Sequence, residues 1–206
     1  MTIRRGADWG RLGTPPEGLV VATSDRAIAD YLKSGVHSVA VSGGDMFATL
    51  GGVTPSLETP RLELPIDAMR IRYRSSLISE WKTEVCCSHC VLRSSDVRGG
   101  WLRGEAVVAM NAQYLGEWDV APRGHPNDGR VEIIEVDRQM SVRQRMIARS
   151  RVKIGTHVPH PDISVKSVPE YAWNGTALMM WLDGVRVGLV QSVQIQVLRD
   201  FATLWI

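Results

Sequence analysis

The sequence predicts an α+β protein in which a reduced α/β N-terminal part precedes an antiparallel β-sandwich carrying one helix. Three observations lead there. Residues 1–52 alternate strand-like and helix-like segments, a proline-bearing stretch follows, and beyond it short segments alternate apolar with polar residues at period two. The 206 residues are 44% hydrophobic and 22% charged, a globular composition that argues against disorder.

The N-terminal part opens with the strand "GLVVAT" from Gly18. A helix through "RAIADYLKSG" follows, with Ser24 or Asp25 as its N-cap and Gly35 where a C-terminal glycine belongs. The strand "SVAVS" then runs into Gly43, Gly44 and Asp45, a turn of the composition that cradles phosphate groups, followed by a helical segment. Asp45 has a second role open to it, capping that helix, whose N-terminus gains from a carboxylate. Residues 53–65, inside "GGVTPSLETPRLELP" with its three prolines, read as an exposed linker and internal boundary.

Residues 66–206 carry the sandwich pattern. It is plainest where Val193, Ile195 and Val197 alternate with Ser192, Gln194 and Gln196. Asp183-Gly184 between two such runs signals a tight hairpin. One helix interrupts the strands, from Ser141 as N-cap to about Lys153, with Val142, Met146 and the Arg149 stem as the stripe that docks on the sheet. From Arg138 to Lys153 there are six cations and no acid. Such a run is either a solvated face or a surface for anionic membrane. Aromatic residues are not interleaved with it, which argues against nucleic acid.

No apolar run approaches the ~20 residues of a membrane span, and "MTIRRGADWG" lacks a signal-peptide core, so the sequence predicts a cytoplasmic protein, peripheral to the membrane where the cation run touches it. Net charge is only +2, so any preference for anions must come from local clustering. The three cysteines all lie in "VCCSHC" beside His89. Zinc wants four converging ligands and no second Cys/His pair stands elsewhere at ligand spacing, so buried thiols acting as small apolar residues are expected. His157 and His160 are separated by Pro159, which suits a turn more than a metal site, and Trp118, Trp173 and Trp181 suit core or edge positions.

The stretch "VVAMNAQYLGEWDVAPRGHPNDGRVEIIEV", with Asn111, Tyr114, Gly116, Ala121, Pro122, Asp128 and Gly129, resembles the C-terminal half of bacterial lipid kinases of the diacylglycerol kinase type. "GTHVPHP" and "WLDGVRVG" continue the likeness in the same order, over about half the chain. The resemblance implies a nucleotide domain and a lipid-holding sandwich, with ATP and Mg²⁺ as cofactors and transfer of a phosphoryl group to a lipid hydroxyl. NAD kinases share the superfamily, but the Asn, Asn-Asp-Gly and His-Pro pattern points to the lipid branch. Gly43, Gly44 and Asp45 then occupy the nucleotide motif, Asp128 is the candidate base and Glu132 its neighbour. Asp128-Gly129 is equally a turn into a strand. Met46 and Phe47 stand where the family has Gly-Thr, Val185 where it has Glu, and the family's opening glycine motif is absent. These departures set a second reading beside the kinase: a non-catalytic relative that binds lipid or anionic membrane. Either leaves a homo-oligomer open.

Overall fold

The computed structural model describes residues 9–52, 61–75, 80–94 and 100–206. In chain order, β1 is Arg11–Gly13, β2 Val20–Ala22, α1 Asp25–Lys33, β3 Ser38–Val41, α2 Asp45–Thr49, β4 Arg61–Ser75, β5 Trp81–Cys86 and β6 His89–Arg93. A 3₁₀ turn at Gly100–Leu102 leads to β7 Ala106–Met110, β8 Tyr114–Leu115, β9 Trp118–Asp119 and β10 Val131–Val136. Then come α3 Val142–Val152, β11 Ile163–Val168, β12 Glu170–Leu182 and β13 Val185–Trp205.

Apart from the small β8-β9 ribbon, the described strands form one sheet in the order β1-β4-β13-β12-β6-β7-β10-β11, with β5 beside β4 and the parallel pair β2-β3 beside the end of β13. The sheet folds back on itself. Met69 and Ile71 of β4 share a core with Val107 of β7 and Ile133 of β10, strands far apart in the sheet order. Apolar residues at alternate positions supply both inner walls, as sheet-on-sheet packing requires. A second core joins Ile28 and Leu32 of α1, Val39 and Val41 of β3, Met46, and Leu64 and Ile66 of β4.

β13 explains how the two parts hold together. Its first half pairs with β12 and its last residues with β3, while β4 runs antiparallel along its length. The sequence segments "VRVGLV", "SVQIQVL" and "TLWI" are therefore one strand bent at bulges, one of them between Leu198 and Ala202 at Asp200, whose φ is 49°. Of the expected linker, residues 53–60 lie outside the described residues. Arg61–Pro65 departs from the linker expectation, because it is the start of β4, where Leu64 is buried against the α/β part.

Local signals set the element ends. Ser24 caps α1 through Ala27 N, and Gly35 ends the helix with φ 88°. Ser141 caps α3 in a capping box with Gln144. At the β12-β13 hairpin, Asp183 and Gly184 have φ 47° and 80°, the pair of positive values a type I′ turn needs.

The docking face of α3 is different from the expected stripe. Arg145 and Val152 are buried, whereas Met146 and Ile147 are 59% and 43% exposed. The Arg145 guanidinium reaches the carbonyls of Met140, Trp101, Gly104 and Asp137, so it is a hydrogen-bond hub and no surface charge. Helical period alone could not choose this face, since a fully paired arginine competes with an apolar residue for the buried side.

Candidate functional site

Four elements meet at one buried cluster. At the end of β3, Gly43 packs so tightly on the β2-α1 corner that a Cβ there would lie 2.6 Å from Thr23 O. Gly44 has φ 99°, and its added Cβ would lie 2.8 Å from Asp25 N and Oδ1. Two glycines thus let α2 start against Asp25. The Asp25 carboxylate accepts hydrogen bonds from Asp45 N at 2.7 Å and Met46 N at 2.8 Å, and from Ser88 Oγ at 2.7 Å.

The second half of the cluster comes from the sandwich. Asp183, 6% exposed in its hairpin, accepts from Cys87 N at 2.9 Å, Ser88 N at 2.8 Å and His89 N at 3.2 Å. Its own N–H donates to His89 O, so the β5-β6 turn and the β12-β13 turn grip each other. Burial pushes the Asp183 carboxyl above its ordinary range, and these N–H donors oppose that.

Between the halves stands His89, 4% exposed. Its Nδ1 makes no well-aligned hydrogen bond, and it lies 3.3 Å from Asp45 Oδ2. Asp45 Oδ1 accepts from Gly116 N at 2.8 Å in the β8-β9 turn. Burial holds the Asp45 carboxyl above the usual range; the Gly116 hydrogen bond pulls it down, the Asp25 charge raises it and His89 lowers it. Ligand atoms of Asp25, Asp45 and His89 all lie within 4.8 Å of one another. Two carboxylates and an imidazole suit a divalent cation by their donor chemistry.

An apolar cleft of about 380 Å³ opens beside His89, walled by Val91, Leu115, Gly116, Trp101, Trp118 and Trp181. The Arg93 guanidinium stacks over Trp101 at 5.3 Å and Trp181 at 5.0 Å. Trp101, Leu115 and Trp118 also line a deeper cavity of about 100 Å³ between α3 and the sheet, closed by Val108, Ile134, Met140 and Val152. His157 is buried at its wall with neither ring nitrogen hydrogen-bonded, and burial lowers its pKa.

The sequence-predicted residues divide between two places. Gly43, Gly44 and Asp45 belong to the cluster. Asp128 and Glu132 do not: no described contact joins either to Asp25, Asp45, His89 or Asp183. Asp128 Oδ1 accepts from Arg130 N at 2.9 Å inside its own turn. Burial raises its pKa and the Glu132 charge adds to this, so the two acids are neighbours. The turn is held by Asp67, which is fully buried and accepts from Gly129 N at 2.6 Å and Asp200 N at 2.8 Å.

Asp25, His89 and Asp183 carried signals of other kinds in the sequence: a helix cap, a cysteine-rich strand and a hairpin turn. The three thiols beside His89 are free and buried, and burial pushes them up. No family-specific spacing marks an aspartate that will face a histidine 44 positions along the chain. Only pairing of β5, β6 and the β12-β13 hairpin does that.

The glycine turn does not fit a nucleotide phosphate. The N–H groups of Asp45 and Met46 are already held by Asp25, and α2 is only five residues long. The Met46 side chain does not itself fill the turn, because it is fully buried in the α/β core. The protein's own carboxylate stands where a phosphate would be.

No protein-family model matches the chain, and no curated protein matches it. Among solved structures it is similar to a diacylglycerol kinase from Bacillus anthracis, with a TM-score of 0.53 and 16% identity over 81% of this chain and 66% of that one. Two further Bacillus anthracis structures assigned to the same enzyme class give TM-scores of 0.52 and 0.51 at 12% and 13% identity, each covering 87% of this chain and 81% of the other. The chain has the fold of bacterial diacylglycerol kinase-like proteins, and it spans about two thirds of the length of the first of these structures. No helix among the described residues is long and apolar enough to cross a membrane.

Proposed function

We propose that this chain supplies the lipid-holding and proton-accepting part of a diacylglycerol kinase-like phosphotransferase. The observation that carries it is the tryptophan-walled cleft that reaches His89, whose Nδ1 lies 3.3 Å from Asp45 Oδ2. An acyl chain lies against Trp101, Trp118 and Leu115, and the hydroxyl of its glycerol-like head reaches the buried pair. Asp45, with its affinity for protons raised by burial, takes the hydroxyl proton, and His89 holds the carboxylate in place. Asp25 fixes α2, and Asp183 fixes the backbone on either side of His89.

Asp45 is preferred to Asp128 as base because it faces a histidine in the cleft, whereas Asp128 bonds its own turn. A divalent cation on Asp25, Asp45 and His89 would neutralise charge on a transferring phosphoryl group. No step is assigned to the Gly43-Gly44 turn, since the N–H groups that follow it are already held by Asp25.

The test is transfer of label from Mg-ATP to diacylglycerol in mixed micelles, with lipid binding followed separately through tryptophan fluorescence. Asp45→Asn is expected to abolish transfer, by at least ~100-fold, and to leave lipid binding intact. Transfer that survives Asp45→Asn and disappears in Asp128→Asn would return the base to Asp128. Lipid binding with no transfer by the wild-type chain would establish the non-catalytic lipid binder instead.

A further inference from the structure

The cleft beside His89 carries a charge that no described group neutralises. Arg93 ends β6, and Arg93, Val91 and His89 all line the cleft, so its wall runs about 13 Å along the strand from the histidine to the arginine. Ladder pairing with Met179 of β12 and Ala106 of β7 fixes the Arg93 backbone. Its guanidinium lies over the rings of Trp101 and Trp181, and a Cβ on Gly100 would lie 2.9 Å from its Nη1, so the group is walled in as well as stacked. Among the described residues it donates no hydrogen bond and forms no ion pair, and no carboxylate lines the cleft. Other arginines differ: Arg145 is held by backbone carbonyls, and Arg70, Arg72 and Arg74 reach Gln196, Gln194 and Ser192.

We propose that Arg93 is an anion-binding group at one end of this cleft, and that the cleft takes an amphiphile bearing a phosphate or carboxylate. Aromatic rings attract a guanidinium without using its N–H donors, and those donors form a planar fork that matches two oxygens of an oxyanion. Val91, Leu115 and the three tryptophans receive the apolar chain, and His89 with Asp45 stands at the other end. Charge complementarity selects the occupant, because the described wall holds a cation and no acid. A neutral diacylglycerol would cover the apolar wall and leave Arg93 unmatched. Arg149 lies over Trp118 at 5.7 Å but lines the inner cavity and not this cleft, so it takes no part. The preference for an anion rests on the lipid-holding reading above and narrows it to anionic amphiphiles.

The experiment is titration of the whole chain with submicellar decyl phosphate and with 1-decanol, which share an apolar chain and differ in the anion, followed through tryptophan emission. Decyl phosphate is expected to bind at least ~10-fold more tightly, the effect of one charge-assisted pair. Arg93→Gln is expected to erase that preference and leave decanol binding unchanged, whereas Arg149→Gln keeps it. Arg93→Met, which retains an apolar stem against the indoles, is expected to act as Arg93→Gln does, so a folding defect in one variant is not mistaken for loss of the anion site. Equal affinity for the two amphiphiles, or a preference that survives both Arg93 substitutions, overturns the anion site while the lipid-holding cleft stands. Binding of neither amphiphile overturns both readings. Inorganic phosphate that displaces decyl phosphate at equal concentration would make Arg93 a site for the free anion and overturns the amphiphile.

Discussion

Two turns of this protein look alike in sequence and do different work. Gly43-Gly44-Asp45 and Asn127-Asp128-Gly129 each set an aspartate beside glycine, and each has its backbone held by a buried carboxylate from elsewhere, Asp25 in one case and Asp67 in the other. In the first, the turn's own acid is left facing a buried histidine that lines a cleft. In the second, the acid folds back on Arg130 N. A glycine-aspartate turn becomes a chemical group only when tertiary structure gives the aspartate a partner and a cavity.

Removing the organising carboxylates should break the comparison most. Asp67→Ala leaves Gly129 N and Asp200 N unbonded in the interior, at a cost of about 3 kcal/mol or more, read as a lowered urea midpoint. The proposed cation site at Asp25, Asp45 and His89 shares no hydrogen bond with Asp67 among the described residues and is expected to be unchanged in the protein that remains folded. Met46→Gly comes next, at roughly 2 to 4 kcal/mol, since it empties a buried core position and opens no phosphate site. Gain of Mg-ATP binding in that variant, seen by calorimetry, would show that the side chain and not Asp25 blocks the turn.

Asp25→Ala should cost about 2 kcal/mol and free the N–H groups of Asp45 and Met46. Inorganic phosphate is then expected to raise the melting temperature of this variant and leave the wild type unmoved. A smaller effect separates the cavity from both turns. Burial holds His157 below the ordinary histidine pKa, so the unfolded chain binds more protons in that window, and stability is lost as pH falls from ~6.5 through the folded pKa. His157→Leu should flatten that acid-side loss, measured as denaturation midpoints on the two sides of the ordinary histidine range. Least of all, Asp128→Asn should change stability by under ~1 kcal/mol, because an amide oxygen still accepts from Arg130 N.

How much of this was legible beforehand follows from the range of each interaction. Ser24, Gly35, Ser141 and Asp183-Gly184 act on residues within one turn of themselves, and the elements they bound lie where their chemistry puts them. The period-two pattern of Val193, Ile195 and Val197 likewise marks the buried side of β13. Its continuity through 21 residues does not show, since the irregularities between Val190 and Ser192 and between Leu198 and Ala202 look like breaks along the chain. The buried face of α3 was also misleading: Arg145 is cheap to bury only because four carbonyls from other segments reach it.

By itself the sequence determined the α+β class, the caps and turns, and the order of motifs that resembles lipid kinases. These depend on local propensity and on periodicity, which neighbouring residues carry. Only the tertiary structure decided which acids form the site. Asp25 and Asp45 are 20 residues apart, and Asp183 meets Ser88 across 95. Contacts at such separations exist only after the sheet has closed, because burial and hydrogen bonding, not spacing, select the carboxylate that stays in the interior.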